Sequence, residues 1–137
     1  MHIVNRATIR EFSDKISVEL NPMRFRPNII IDGLDPWKEF DLVGRTLRVI
    51  SSDGNHSSSS NSGGTIILKV LTKTIRCEGV GIDPSSNEEK INIPKLLNNH
   101  YPEYGPYLGV YASIEVTDGD DGNAGRLLTV GDTLELL

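Results

Sequence analysis

The sequence predicts a mainly β protein, a partly closed β-barrel with two or three short helices. The apolar content is carried by Ile, Leu and Val in short runs bounded by Gly, Pro, Asn and Asp, a pattern typical of strands rather than of long helices. A length of 137 residues with 37% hydrophobic residues corresponds to one domain with a modest core. We therefore expect residues 1–137 to form a single domain.

A helix and two strands are predicted in the first part of the chain. Residues 7–20 place apolar side chains at helical spacing, and Asn5 can cap the start of this amphipathic helix. Residues 28–33 form an apolar run that begins after Pro27 and ends in a Gly turn, which predicts a buried strand. Residues 46–50 alternate apolar and polar side chains, as a half-exposed strand does.

A serine-rich segment separates two strands that we expect to pair with each other. The second strand is predicted over residues 65–75, and its partner is the strand at residues 46–50. Half of the residues in the segment 51–64 are Ser, and three more are Gly. This composition is too polar to bury, so we predict a flexible loop inserted at the tip of a hairpin.

The remaining elements are a helix and three strands. A proline at the second position favours the start of a short helix over residues 93–99. Residues 108–116 predict a strand, and residues 117–125 an acidic loop that contains Gly. The last strands are predicted at residues 126–129 and 133–137.

Composition and spacing exclude several functions. The net charge of −5 argues against sequence-independent binding to nucleic acid, which needs a dense basic face. No apolar run approaches the roughly 18 residues of a membrane helix, and no secretory leader is recognised. His2, His56 and His100 lie too far apart in the sequence to suggest a zinc site. The cellular compartment stays open.

The single cysteine, Cys77, follows Arg76 directly after an apolar strand-like run. One thiol cannot close an internal disulfide. A functional Cys77 would therefore act as a nucleophile, a redox group or a soft metal ligand. An inert buried thiol is the alternative reading of the same residue.

Five segments of the chain together resemble one protein family. In chain order they contain Arg-Phe-Arg-Pro-Asn-Ile (24–29), a Trp and an acid (35–39), Arg-Cys followed by Asp-Pro (76–84), Leu-Gly-Val-Tyr (108–111) and Val-Gly-Asp (130–132). This ordered series resembles the MOSC domain, named after the C-terminal domain of molybdenum cofactor sulfurases. The branch it resembles most is that of the amidoxime-reducing components. The resemblance implies a β-barrel with few helices.

The resemblance also implies a molybdenum cofactor site. It assigns Cys77 as the protein ligand to molybdenum, beside the two dithiolene sulfurs of the pterin, and as the catalytic residue. A thiolate is a soft donor, and the guanidinium of Arg76 would favour that ionised form. The resemblance further implies that four residues bind the molybdopterin: Arg26, Asn28, Arg76 and Tyr111.

Elementary chemistry supports these four assignments but leaves alternatives for three of them. A guanidinium presents five donors in a fixed plane that suits phosphate groups or pterin edges, and an amide can both donate and accept. Arg26 could instead pair with an acid, Asn28 could simply end a strand, and the ring of Tyr111 could serve packing alone. The Trp37 and Glu39 pair is expected to pack and to orient neighbours rather than to perform chemistry.

The function implied by the resemblance is that of a molybdenum-dependent oxidoreductase that reduces N-hydroxylated compounds. A haem or flavin protein would supply the electrons, and the other substrate would be a small molecule. A cofactor-carrying or sulfur-delivering module is the alternative. Sulfurases normally add a pyridoxal-phosphate domain, for which 137 residues leave no room.

A third reading is a truncated barrel that binds no cofactor. Family members carry further N-terminal strands with residues that hold the pterin phosphate, and these have no counterpart in this sequence. A barrel without those strands exposes an unpaired edge, so a partner chain or an oligomer would be expected to complete it. A mitochondrial location would require a signal on a longer parent chain.

Overall fold

The computed structural model describes residues 1–52, 65–86, 90–116 and 128–137. Within these ranges the chain forms six strands, two α-helices and three short 3₁₀-helices. The strands are β1 (His2–Asn5), β2 (Ile29–Ile31), β3 (Thr46–Ile50), β4 (Ile66–Ile75), β5 (Tyr107–Val116) and β6 (Thr133–Leu136). The α-helices are α1 (Arg6–Ile16) and α2 (Ile93–His100), and the 3₁₀-helices span Pro22–Phe25, Lys38–Leu42 and Glu78–Gly81. The predicted mainly β class is confirmed.

The six strands form one sheet in the order β2-β1-β5-β4-β3-β6, which curls into a half-barrel. β1 and β2 run parallel, and the other neighbours are antiparallel. The register of β4 against β5 shifts between Val70 and Thr72 and again between Lys73 and Ile75. β2 and β6 are the edges of the described sheet. The prediction of a partly closed barrel is thus confirmed.

Helix α1 is shorter than predicted. Its start is confirmed, because the Asn5 side chain accepts a hydrogen bond from the backbone N–H of Ala7 at 3.1 Å. It ends at Ile16 because Ser17 adopts the left-handed conformation with φ 54°. A left-handed residue at this position is a common helix terminator. Leu20, the last apolar residue of the predicted helix, is buried outside it.

Strand β1 was not predicted from the sequence. Its four residues, His2–Asn5, are all buried, and they pair with β2 on one side and β5 on the other. A strand buried on both faces carries no alternation of apolar and polar residues. Four residues are also too few to reveal a period, so the strand arises from its two partners.

The other elements agree with their predictions where the structure describes them. β3 pairs with β4, as shown by the register of Leu47 with Leu68. Most of the predicted serine-rich loop (53–64) and all of the predicted acidic loop lie outside the described residues. The predicted strand at 126–129 is wrong where it can be compared, because Leu128 and Thr129 are not in a strand. Thr129 instead hydrogen-bonds Asp132 in the turn before β6.

The hydrophobic core is formed by apolar side chains of the sheet, of helices α1 and α2 and of the 3₁₀-helices. The largest completely buried apolar side chains include Ile3, Ile9, Phe12, Phe25, Leu68, Ile93, Leu97 and Leu108. Trp37 stacks on Tyr104 with ring centroids 4.7 Å apart. Buried Glu39 accepts hydrogen bonds from Thr8 Oγ1 at 2.7 Å and from Asn5 Nδ2 at 3.2 Å. Trp37 and Glu39 therefore serve packing and orientation, as predicted.

Within the described ranges, neither helix has the length and apolarity needed to cross a membrane.

Candidate functional site

A cleft of about 320 Å³ opens at the end of β4. Its walls come from β1, from the segment before β2, from β5 and from the turn after β4. The lining residues are His2, Phe25, Arg26, Asn28, Thr74, Ile75, Arg76, Cys77, Gly79, Val80 and Tyr111. All five residues that the sequence analysis assigned to a cofactor site therefore line this one cleft.

Strand β1 brings the distant parts of the cleft together. In the β1–β5 pair His2 lies opposite Tyr111. On the other side of β1, the backbone N–H of Asn28 donates to the carbonyl of His2 at 2.8 Å, and Asn28 Oδ1 accepts from the His2 N–H at 2.7 Å. Arg76 extends the β4–β5 pairing by donating its N–H to Pro106 O at 2.7 Å. The strand that sequence reasoning missed is thus the centre of the site.

The thiol of Cys77 is exposed. The residue follows β4 in extended conformation and precedes the 3₁₀-helix Glu78–Gly81. A Cβ atom added at Gly79 would lie 3.5 Å from Cys77 Sγ, so the sulfur sits directly over this glycine. Cys77 is therefore not a buried residue, and its sulfur is accessible to a ligand.

Arg76 is buried beneath the cleft, with 7% of its surface exposed. Its Nε donates to Leu108 O at 2.8 Å and its Nη1 to Phe25 O at 3.2 Å. Its Nη2 contacts Leu108 O and the Nε2 atom of His2. Burial lowers the pKa of Arg76 to about 10, so the side chain stays charged at neutral pH. All three nitrogens are thus engaged with protein acceptors.

Arg26 differs from Arg76 in being exposed. It ends the 3₁₀-helix Pro22–Phe25 in the left-handed conformation with φ 49°, which is unfavourable for a residue with a Cβ. Within the described ranges its guanidinium forms no ion pair, so the alternative of an acidic partner finds no support there. An exposed cation on a strained backbone is a common feature of ligand sites.

Asn28 and Tyr111 each keep a polar group at the cleft. The Oδ1 atom of Asn28 accepts from His2, and its Nδ2 has no hydrogen-bond partner among the described residues. Tyr111 is 45% exposed, and its ring is tilted against the His2 ring with centroids 5.4 Å apart. Both residues therefore combine a structural contact with a group that can meet a ligand.

His2 is a cleft residue that sequence reasoning did not select. Burial, and secondarily the charge of Arg76, lower the pKa of His2 to about 4, so the ring is neutral at pH 7. Because a guanidinium can only donate, the contact with Arg76 makes His2 Nε2 the acceptor and assigns the proton to Nδ1. Metal sites are recognised in a sequence by several His residues at characteristic spacing. A single histidine that accepts a hydrogen bond from a buried arginine has no such signature.

Gly109, in the Leu-Gly-Val-Tyr motif, makes room for the His2 ring. Its φ is +79°, and an added Cβ would lie 2.6 Å from Ile3 O and 2.8 Å from His2 Nε2. Real Cβ atoms do not make such short contacts, so a side chain here would displace β1. The motif that helped to define the resemblance thus has a steric role in the site.

A second buried arginine supports the turn after Cys77. Arg24 donates from Nη1 to Gly81 O at 2.8 Å, and its Nε lies 3.5 Å from Asp83 Oδ2. Asp83 Oδ1 accepts from the N–H and the hydroxyl of Ser85, each at 2.8 Å. These hydrogen bonds hold the pKa of Asp83 below its usual value. Asp83 therefore shapes this turn.

The charge of the cleft is positive. Arg26 and Arg76 line it, His2 is neutral, and no Asp or Glu is among its described lining residues. Such a surface favours anionic or electron-rich ligands. Among the described residues, no group of three or more His, Cys, Asp and Glu side chains could hold a metal ion.

A larger cleft of about 690 Å³ is lined by one side of α1 and by the segment that follows it. It mixes cations such as Arg6 and Arg10 with the acids Asp14 and Glu19. Arg6 is already paired with Asp32 at 3.0 Å. None of the five predicted site residues lines this cleft, so the smaller one is the candidate site.

Fold and cleft together define a mainly β half-barrel domain with an accessible cysteine at the end of a central strand. A family model described as "MOSC domain" matches residues 1–135, which is nearly the whole chain. This chain therefore belongs to the MOSC domain family, as its five motifs predicted. Domains of this family are associated with binding of the molybdenum cofactor. No curated protein matches the chain.

Proposed function

We propose that this MOSC domain binds the molybdenum cofactor in the 320 Å³ cleft and reduces N-hydroxylated compounds. Cys77 is the protein ligand to molybdenum in this proposal. The observation that carries it is the exposed thiol of Cys77, which shares one cleft with the four residues that the resemblance assigns to the pterin. These residues come from three separate segments of the chain: 24–29, 76–77 and 108–111.

The chemistry of the cleft suits this cofactor. Thiolate is a soft donor that matches a sulfur-rich metal centre. The positive lining suits a ligand that carries phosphate, and the absence of carboxylates among the described lining residues avoids repulsion. The cleft volume lies at the lower end of the range for small-molecule sites, about 300–1,000 Å³.

The residues have distinct roles in the proposal. The exposed guanidinium of Arg26 and the Nδ2 group of Asn28 bind phosphate or the edge of the pterin. The phenol of Tyr111 donates a hydrogen bond to the bound ligand. Arg76 acts differently, because its nitrogens already donate to protein acceptors. It contributes a buried positive charge that stabilises an anionic ligand and the thiolate of Cys77.

The reaction requires two electrons. When bound, the cofactor supplies the two-electron redox chemistry. Removal of the oxygen of an N-hydroxyl group as water consumes two electrons and two protons. A haem or flavin protein is the proposed electron donor. A small-molecule substrate reaches the cleft across the open rim around Ile75 and Tyr111, which are 64% and 45% exposed.

The exposed thiol also supports a second candidate, a module that carries the cofactor or delivers sulfur. A persulfide on an accessible cysteine can pass its outer sulfur to an acceptor. The two candidates differ in turnover, because only the oxidoreductase reduces an amidoxime repeatedly.

The third reading, a barrel completed by a partner chain, involves β2 or β6, the edges of the described sheet.

The proposal is tested by measuring molybdenum and pterin in the purified protein after expression in a host that makes the cofactor. We expect about one molybdenum and one pterin per wild-type chain, and loss of molybdenum in Cys77→Ala. Leu71→Ala, at an exposed β4 position that does not line the cleft, is the control. Loaded wild type should reduce benzamidoxime with reduced viologen as electron source. A folded wild type without molybdenum or pterin contradicts the proposal.

A further inference from the structure

Thr74 is a cleft residue whose hydroxyl has no hydrogen-bond partner in the part of the chain that the structure describes. The residue lies on β4, two positions before Arg76, and only 2% of its surface is exposed. It lines the same cleft as Cys77. Among the described residues, no group makes a hydrogen bond with its Oγ1 atom.

We propose that the hydroxyl of Thr74 donates a hydrogen bond to an electron-rich oxygen or sulfur atom of the ligand bound in the cleft. Where that ligand is the molybdenum cofactor, the inference rests on the proposed function. It adds Thr74 to the ligand-binding residues that the sequence analysis named.

The energetic cost of burying the Thr74 hydroxyl supports this proposal. A buried hydroxyl without a hydrogen bond is destabilising, whereas valine has nearly the same shape and carries no such penalty. Thr8 provides the comparison within this protein. It is equally buried, but its Oγ1 donates to Glu39 at 2.7 Å and accepts from the N–H of Trp37 at 2.8 Å. Thr8 is therefore satisfied by the protein, whereas no described residue satisfies Thr74, and of the buried polar atoms in that state only the Thr74 hydroxyl belongs to a residue that lines the cleft.

The irregular backbone around Thr74 also supports the proposal. The register of β4 against β5 shifts between Lys73 and Ile75, so Thr74 lies inside an irregularity of the longest strand pair. Irregularities of this kind are frequent beside active sites, where they redirect a side chain. The shift lies three residues before Cys77, at the wall of the cleft.

The charge of the cleft indicates that the Thr74 hydroxyl donates this hydrogen bond rather than accepts it. A threonine hydroxyl can donate once and accept twice. The cleft is lined by two cations, Arg26 and Arg76, and by no described carboxylate, which favours a ligand atom with negative charge. Because each nitrogen of Arg76 already has a protein acceptor, Thr74 supplies a further donor beside the buried arginine.

The first test uses ligand-free protein. Thr74→Val should have a melting temperature equal to or above that of wild type, because it removes an unsatisfied hydroxyl. Thr8→Val is the matched control and should melt several degrees lower, since it breaks two hydrogen bonds. If Thr74→Val lowers the melting temperature as much as Thr8→Val does, the hydroxyl is satisfied without ligand, by protein or by bound water, and the inference is overturned.

The second test uses cofactor-loaded protein and follows pterin release by fluorescence. Thr74→Val should release the pterin roughly tenfold faster than wild type, which corresponds to one lost hydrogen bond. Thr74→Ser retains the hydroxyl and should release it at nearly the wild-type rate. Equal rates for wild type and Thr74→Val would overturn the inference.

The two proposals can fail separately. If wild type contains no pterin, the proposed function fails, and sodium molybdate and inorganic phosphate become the probes of the ligand-free cleft. Weaker binding of either anion to Thr74→Val than to wild type and Thr74→Ser would support the inference alone. Binding that does not depend on Thr74, or no binding of either anion at millimolar concentration, would overturn it as well.

Discussion

The guanidinium of Arg76 contacts the Nε2 atom of His2, which lies 74 positions earlier in the chain. The same guanidinium also donates to the carbonyls of Phe25 and Leu108. One buried cation therefore joins β1, β5 and the 3₁₀-helix before β2. Cys77 is the next residue along the chain, so the position of the thiol depends on this cluster.

His2 should therefore be important for stability. His2→Ala removes the acceptor and leaves a buried donor of Arg76 without a partner, which we expect to cost about 2 kcal/mol of unfolding free energy. His2→Gln can offer an amide oxygen to Arg76 and should restore part of the loss. Urea denaturation measures both variants, with exposed His100→Ala as the control. A His2→Ala protein as stable as wild type would show that the contact contributes nothing.

The stability of the protein should fall as the pH is lowered from about 6.5 to about 4. His2 has a pKa of about 4 in the folded protein, against 6.5 for an ordinary histidine. Between these values the unfolded chain takes up a proton that the folded chain does not, so acid favours unfolding. The full effect is at most about 3 kcal/mol.

This pH effect can be isolated from other titrations. Arg76, against which the ring lies, stays charged throughout the window. The carboxylates of wild type are also present in His2→Gln, so the difference in unfolding free energy between the two proteins isolates His2. The unfolding free energy of wild type minus that of His2→Gln should decrease steadily as the pH falls from 6.5 to 4. A difference that does not change with pH would mean that His2 titrates normally.

Gly109 should be the least replaceable of the described glycines with positive φ. Gly109→Ala places a Cβ against Ile3 O and His2 Nε2, and we expect a loss of about 2 kcal/mol or more. Gly44→Ala is the matched control, because Gly44 has φ +82° but nothing within 4 Å of an added Cβ. That variant should lose only about 1 kcal/mol. Thermal melting compares the two, and equal losses would contradict the steric role.

Glu39→Gln should become more favourable relative to wild type as the pH rises. Burial raises the pKa of Glu39 above its ordinary value, so ionisation of this carboxyl opposes folding. Stability from its neutral form is complete below the unfolded pKa and is lost as the pH rises through the folded pKa. The glutamine oxygen can still accept from Thr8 and Asn5. Urea denaturation at pH 5 and pH 8 measures the effect, and a constant difference between the proteins would contradict it.

Several features of the fold follow from local patterns in the sequence. The apolar alternation of residues 46–50 predicted β3, the Asn5 cap predicted the start of α1, and Pro94 predicted the start of α2. The predicted end of α1 at Leu20 was wrong. Leu20 continues the apolar pattern, but the backbone already leaves the helix at Ser17. Burial of a side chain and the end of a helix are separate properties, and periodicity reports only the first.

The sequence by itself determined the mainly β class, the family and five of the residues that line the cleft, because each depends on residue types within short segments. Only the tertiary structure decided that β1 is a strand, that His2 accepts from Arg76, and that the Thr74 hydroxyl finds no partner among the residues that the structure describes. These features depend on the register of β1 between β2 and β5 and on contacts between residues far apart in the chain. No pattern within a few residues encodes such contacts, since each partner appears ordinary until the sheet brings it beside the other.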